Sequence, residues 1–313
     1  MKRFKNILYI LGDNNDISSS TTAKVQELAR LNGASVTIVR IEEGSIADDI
    51  AKFFAGTSKK LSDAAVAQHE SVIEDTLNDP GWRDIELSNA VLTGRGFIAV
   101  IQKVLRDRHD LVIKEDRSER GLEQLSMRLI RKCPCPVWVI RQKHGGGFKR
   151  ILAAVDLSSD NPETLILNKK IIELCHSLAQ RESGEAHYVH AWQLEYESML
   201  RGPRFNVKTD EIAKIKKQLQ VERKSIVDNL FHEALITPKE ENVHLIEGET
   251  VAVIEKMLDT LRVDVIVMGT VGRTGISGLL IGNKAEKLLS DIHCTVLAVK
   301  PEGFISPVTL TQE

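Results

Sequence analysis

Short, unbroken apolar runs recur along the chain, and they come in pairs about half a chain apart. Asn6-Ile-Leu-Tyr-Ile-Leu-Gly12 is matched by Arg150-Ile-Leu-Ala-Ala-Val-Asp156, each preceded by a lysine, Lys5 and Lys149. Runs of this length without a polar alternate predict strands covered on both faces. Helical patterns follow both. Ser20-Thr-Thr22 offers caps before Ala23–Leu31, and Gly33 suits the position just past a helix end. In the second half Asn161 is a candidate cap and Pro162 suits the first helical position; Leu167, Ile171, Leu174, Cys175 and Leu178 then form one apolar stripe.

The alternation continues in both halves. Second strands are expected at Ser35–Arg40 and Ala186–Trp192, and third strands at Glu86–Val91 and Asn242–Glu247. A helix over Asp210–Leu235, with Thr209 as its cap, separates the latter pair. Helices at Phe97–Arg106 and Thr250–Leu261 lead to fourth strands at Asp110–Lys114 and Asp264–Met268. Fifth strands at Pro136–Ile140 and Thr295–Val299 follow Cys135 and Cys294. Each half therefore reads as an α/β unit with a parallel sheet. Right-handed crossovers point to a doubly wound five-stranded sheet in the order 3-2-1-4-5, with a crevice at the carboxyl ends of strands 1 and 4. The expected domains are residues 1–143 and 148–303, joined through His144-Gly-Gly-Gly147, with a loose tail from Phe304. A fifth strand is a sheet edge in each half, so the two can pair within one chain.

Composition narrows the functional classes. The 313 residues suffice for two cores, and with only 4% aromatics those cores must be aliphatic. The net charge of −2 gives no basic surplus for nucleic acid, and Lys214–Lys217 reads as a solvated helix face. No apolar run approaches the roughly 20 residues that span a bilayer, so no membrane insertion is expected. The N-terminus lacks a signal-peptide pattern, and the expected location is the cytoplasm. Cys133-Pro-Cys135 is C-x-C rather than C-x-x-C; with Cys175 and Cys294 these read as small buried apolar side chains. The nine histidines are scattered; His187 and His190 point to opposite faces of one strand, and no metal site or catalytic constellation is assigned.

Chemistry concentrates after the fourth strand of the second half. Gly269-Thr-Val-Gly272-Arg-Thr-Gly275-Ile-Ser-Gly278-Leu-Leu-Ile-Gly282-Asn283 has the form G-x2-G-x9-G-N and leads into a helix. Glycines let backbone approach a ligand closely, and amides at a helix N-terminus hold anions. The spacing is neither a P-loop nor a dinucleotide fingerprint. Asp156, ending the first strand of the same half, reads equally as a ribose or adenine acceptor and as a turn residue.

With Gly269, Gly272, Gly282 and Asp156 in these places, the sequence resembles the universal stress protein family. Met268–Ile276, the tandem layout and Arg131–Trp138 look like its E branch. The resemblance implies an adenine-nucleotide alpha-hydrolase-like fold and an ATP-binding regulator of the stress response, with Mg2+ accompanying the phosphates. It implies that Val155, Asp156 and Leu157 border the nucleoside, and that Ala191 and Met268 enclose adenine. Gly269, Gly272, Gly282 and Asn283 would handle ribose and phosphates. Asn283 stands where ATP-binding members carry Ser or Thr, and Ala285 lacks a hydroxyl often found near the phosphates. Lys284 reads either as a reach to the terminal phosphate or as an exposed helix lysine. A homodimer and an unidentified regulatory protein partner are also implied; a nucleotide-free scaffold and a slow ATP hydrolase are the alternatives.

The first half differs. Its corresponding segment is five residues shorter, Glu115 stands in place of Gly269, and Asp116, Glu119 and Glu123 add negative charge that repels phosphate. Gly12, followed by Asp13, replaces Asp156, so no ATP is expected there. Lys114, opposite Met268 in the repeat, is expected to pair with the local acids or else to line a remodelled pocket.

Overall fold

A computed structural model describes residues 3–12, 19–42, 58–141, 147–159, 161–270 and 282–310. By contact density the chain divides into two compact units. The first is Met1–Gly145 with Thr270–Gly282 and Leu289–Glu313; the second is Gly146–Gly269 with Asn283–Leu288.

In the first unit, β1 (Asn6–Ile10) lies between β2 (Ser35–Glu42) and β4 (Leu111–Asp116), parallel to both. β3 (Leu87–Thr93) flanks β2 and β5 (Val137–Arg141) flanks β4, again parallel, which gives the order β3-β2-β1-β4-β5. The crossovers carry α1 (Ser19–Asn32), α2 (Ser58–Leu77), α3 (Gly96–Asp107) and α4 (Gln124–Lys132). In the second unit, β6 (Arg150–Ala154) is parallel to β7 (Glu185–Trp192) and to β9 (Val265–Gly269), and β8 (Val243–Glu247) is parallel to β7. Its helices are α5 (Pro162–Glu182), the short α6 (Glu197–Arg201), α7 (Thr209–Glu233) and α8 (Thr250–Thr260). The last helix, α9 (Asn283–Asp291), begins in the second unit and ends in the first.

The last strand, β10 (Thr295–Val299), belongs to the first unit. It runs antiparallel to β5 with Val296 opposite Val139 and Ala298 opposite Val137. The two fifth strands thus pair, which protects the β5 edge. Every residue of β10 is buried, as is every residue of β5.

The same staple fixes the first strand of each half. The amides of Lys5 and Asn6 donate to the Asp110 carboxylate at 2.6 and 3.1 Å, and those of Lys149 and Arg150 donate to Asp264 at 2.7 and 2.8 Å. The preceding lysines also act alike: Lys5 Nζ donates to Asn32 O and Lys149 Nζ to Glu182 O, each at the end of the following helix. A cation there complements the partial negative charge of the helix end.

Local signals account for some of the helix ends. Asn161 caps α5 by accepting from the Glu163 amide at 2.9 Å, with Pro162 at the first position. Gly33 ends α1 at φ +57°. Two expectations shift: Ser20–Thr22 lie inside α1 rather than ahead of it, and Thr209 is the first residue of α7, whose cap is Lys208. The tail from Phe304 is not loose. It lacks regular structure over residues 304–310, but it lies on the first unit with Ser306 buried and the Gln102 side chain donating to Thr309 O at 3.2 Å. Among the described residues no helix is long and apolar enough to cross a membrane.

Candidate functional site

The carboxyl ends of β6 and β9 are neighbours in the second unit, with Ala154 level with Met268. Val155, Asp156 and Leu157 continue from β6. The Val155 amide still donates to Val189 O at 3.0 Å, and the side chains of Val155 and Leu157 are buried. Asn168 of α5 clamps the chain where it leaves the sheet: its Oδ1 accepts from the Asp156 amide at 3.0 Å and its Nδ2 donates to Asp156 O at 2.6 Å. The Asp156 carboxylate accepts from the Ser158 amide at 3.1 Å and from the Ser158 hydroxyl. That is an Asx turn, which holds the carboxylate at the mouth of the crevice. His190 supports the same segment from β7. Its Nδ1 lies 3.1 Å from Val155 O and 3.3 Å from Leu157 N, so the tautomer decides whether it donates or accepts.

Ala191 follows on β7, half-buried, and Met268 is buried on β9. Gly269 sits against α5, where an added Cβ would stand 3.0 Å from Leu167 Cδ2. Any side chain here must push the end of Leu167 aside by a few tenths of an ångström. Gly272 lies outside the described residues, as do the other residues of 271–281, Asp13 and His144–Gly146.

Thr270 and Gly282 bound the glycine-rich segment, and the Gly282 amide donates to Thr270 O at 3.1 Å. Gly282 is the N-cap of α9 and supplies no side-chain cap. Asn283 and Lys284 are exposed in the first turn and Ala285 is half-buried. Lys284 Nζ donates to the Thr250 hydroxyl at 3.0 Å, at the start of α8. Beside it Glu249 caps α8, accepting from the Ala252 amide at 2.9 Å. That amide, joined by Val251's and by the charges of Lys287 and Lys284, holds the Glu249 carboxyl below the usual range against its slight burial. Two helix N-termini thus present differently: α8 carries a carboxylate cap, while α9 offers its first amides behind a glycine.

In the first unit the equivalent position is filled by the chain itself. Asp116, buried at the end of β4, accepts from the Glu123 amide at 2.8 Å, the Ser118 amide at 3.1 Å and the Ser118 hydroxyl. Burial opposes its ionisation, yet the Ser118 and Ser126 hydroxyls, the Glu123 amide and the Lys114 charge together hold its carboxyl below the usual range. Lys114 pairs with the local acids, donating to Glu123 Oε2 at 2.5 Å and Glu115 O at 2.7 Å. Arg117 Nε reaches Glu115 Oε1 at 2.8 Å. Arg141 closes the network by donating to the carbonyls of Gly121, Ser118 and Ile292. A carboxylate therefore rests on the amide that leads into α4, whereas the corresponding amide before α9, that of Gly282, donates to a main-chain carbonyl, Thr270 O.

Three features gave no sequence signal. Arg141 ends β5 and Lys300 follows β10; both look like ordinary surface cations, yet both are buried. His187 and His244 meet across β7 and β8, Nδ1 to Nε2 at 3.3 Å. Among the described residues no group of three or more His, Cys, Asp or Glu could hold a metal ion.

The comparisons with known proteins agree with this geometry. The profile described as Universal stress protein family matches residues 3–141 and 147–300. Universal stress protein E of Photorhabdus laumondii is 30% identical over 238 residues, 74% of this chain and 73% of that protein. Universal stress protein E of Escherichia coli K12 is 31% identical over 226 residues, 70% of this chain and 69% of the other. The Universal stress protein E homolog of Haemophilus influenzae is 26% identical over 310 residues, 96% and 98% of the two chains. Among solved structures, a functionally unknown protein from Pseudomonas aeruginosa PAO1 superposes with a TM-score of 0.69 at 20% identity, covering 97% of this chain and 95% of that one. A universal stress protein from Archaeoglobus fulgidus gives 0.55 at 12% identity, covering 94% and 98%. Two matched segments that account for nearly the whole chain make it a tandem member of the universal stress protein family.

Proposed function

We infer that the second half of the chain binds ATP, and that the chain acts as a nucleotide-dependent regulatory protein of the stress response rather than as a catalyst. The observation that carries this reading is the contrast between the two helix starts. In the first half the chain's own Asp116 carboxylate sits on the amide leading into α4. In the second half the corresponding amide, that of Gly282, donates to a neutral carbonyl, Thr270 O, and a positive helix end faced by a carbonyl rather than a carboxylate favours an added anion.

In this reading Val155, Asp156 and Leu157 border the nucleoside, and Asp156 accepts from ribose or adenine. Ala191 and Met268 flank the base. Gly269, Gly272, Gly282 and Asn283 take ribose and phosphates, with Ala285 leaving room at the helix start. Lys284, held at Thr250, stands within the same turn and contributes charge to the terminal phosphate. Mg2+ would supply charge neutralisation between the phosphates. The protein would act in the cytoplasm as a homodimer whose regulatory partner reads the bound state.

Equilibrium dialysis of the full chain with labelled ATP and Mg2+ tests this. One saturable site per chain is expected, and no saturable binding would end the proposal. Asn283→Asp separates binding from folding: a carboxylate there favours the helix but repels phosphate, so affinity should fall about tenfold while thermal stability holds or rises.

A further inference from the structure

Cys133 and Cys135 stand apart from the other two cysteines. Cys175 is an isolated buried thiol whose contacts are with carbonyls, Ile151 O at 3.5 Å and His187 O at 3.7 Å, and burial pushes its ionisation far up. Cys133 instead ends α4, fully buried, with its Sγ 3.6 Å from the Sγ of Cys135. A buried cation shares this site. Lys300, just after β10, donates to Ile130 O at 2.5 Å, to the Thr270 hydroxyl at 2.8 Å and to Arg131 O at 3.2 Å, and its ammonium lies 4.4 Å from the centre of the Phe304 ring. All of these residues belong to the first unit.

The electrostatics follow from this packing. Burial opposes ionisation of Cys133, but hydrogen bonds from the Cys135 thiol and main chain, with the Lys300 charge behind them, bring it below an ordinary thiol. Cys135 moves the opposite way, because it hydrogen-bonds to Cys133 and is itself buried. Burial brings Lys300 down to about 8, against the pull of the two sulfurs. The direction of these effects singles out Cys133 as the more reactive sulfur of the pair.

We propose that Cys133 and Cys135 form a peroxide-responsive dithiol, with Cys133 as the reacting sulfur, Cys135 as the resolving one and Lys300 as the positioning cation. The Cys133 thiolate attacks one oxygen of hydrogen peroxide. The O–O bond breaks, hydroxide departs, and it takes up the proton that Cys133 has shed. Cys133 is then a sulfenic acid. Cys135 attacks that sulfur, the S–O bond breaks, and hydroxide leaves with the Cys135 proton as a second water. Two thiols are oxidised to one disulfide and one peroxide is reduced to two waters. The sulfurs must close from 3.6 Å to about 2.05 Å, within reach of side-chain rotation at residues two apart. Both sulfurs are buried, so the oxidant class that matches is a small one, hydrogen peroxide rather than a bulky disulfide.

The test uses the full reduced chain, treated with hydrogen peroxide, quenched with N-ethylmaleimide and mapped by mass spectrometry. The peptide with Cys133 and Cys135 should lose two hydrogens and resist alkylation until dithiothreitol is added, while Cys175 stays reduced. In Cys135→Ser, a near-isosteric change, the reaction should stop at a sulfenic acid on Cys133 that dimedone traps. Lys300→Met should slow oxidation about tenfold, since the cation favours the thiolate, with circular dichroism confirming the fold. A peptide that stays reduced, or Cys135→Ser yielding no dimedone adduct, overturns the proposal. A folded Lys300→Met reacting at the wild-type rate overturns the role of the lysine.

Discussion

At the scale of single residues, glycine and aspartate carry most of the weight. Gly121 sits at φ +63°, and an added Cβ would collide with the carbonyl of Ser290. Gly121→Ala combines left-handed strain with backbone overlap, and about 2–4 kcal/mol of stability should be lost, read as a fall in the denaturation midpoint. Asp116→Ala removes the acceptor for the Glu123 and Ser118 amides and leaves Lys114 a partner short; a loss of roughly 2–3 kcal/mol by urea unfolding is expected. Since the Asp116 carboxyl is held below its unfolded value, its contribution is complete above that value and fades as pH falls through the folded one. Wild type should therefore lose stability below about pH 4 more steeply than Asp116→Ala. The sequence announced the acids around Asp116 but not their use. A carboxylate that repels phosphate and one that replaces it read alike until the Glu123 amide is placed against it.

Elements were the easiest scale to read. Unbroken runs such as Ile7–Leu11 and Ile151–Val155 can only be strands covered on both faces, and both are buried almost throughout. The periodic stripe of α5 and its Asn161–Pro162 start were equally plain. Boundaries moved where side chains compete for one role, as at Ser20–Thr22 and Thr209. What no periodicity reveals is a pair formed across strands. His187 and His244 stack on β7 and β8 with ring centres 5.5 Å apart. Glu185 and Arg150 act on His187 with opposite signs, and Lys239 lies 3.9 Å from Glu185. Burial lowers both imidazoles, and His187 further disfavours charge on His244. The unfolded chain therefore binds more protons, and stability present above about pH 6.5 should decline as pH falls through the lower folded values. Each such group contributes at most about 1.4 kcal/mol per pH unit. Melting curves between pH 7.5 and 5.5 should show this slope, and it should flatten in His244→Gln.

For the whole molecule, the repeat was visible from Lys5 and Lys149 onward, and the matching staples at Asp110 and Asp264 confirm its register. The open edge of each fifth strand also allowed the two to pair within one chain, as β10 and β5 do. With β10 paired to β5, residues 1–145 alone would expose Val137 and Val139 along an open edge. That fragment should self-associate in sedimentation at micromolar concentration, whereas the full chain keeps this edge covered; a stable monomeric fragment would contradict the pairing. The link from Gly282 to Thr270 has a different consequence. It ties off residues 271–281 at their base, and lengthening a tied segment costs little, about 0.6 kcal/mol per doubling. A residue inserted between the two anchors leaves both of them in place, so selection can retune which guest is gripped, and how tightly, without rebuilding the scaffold.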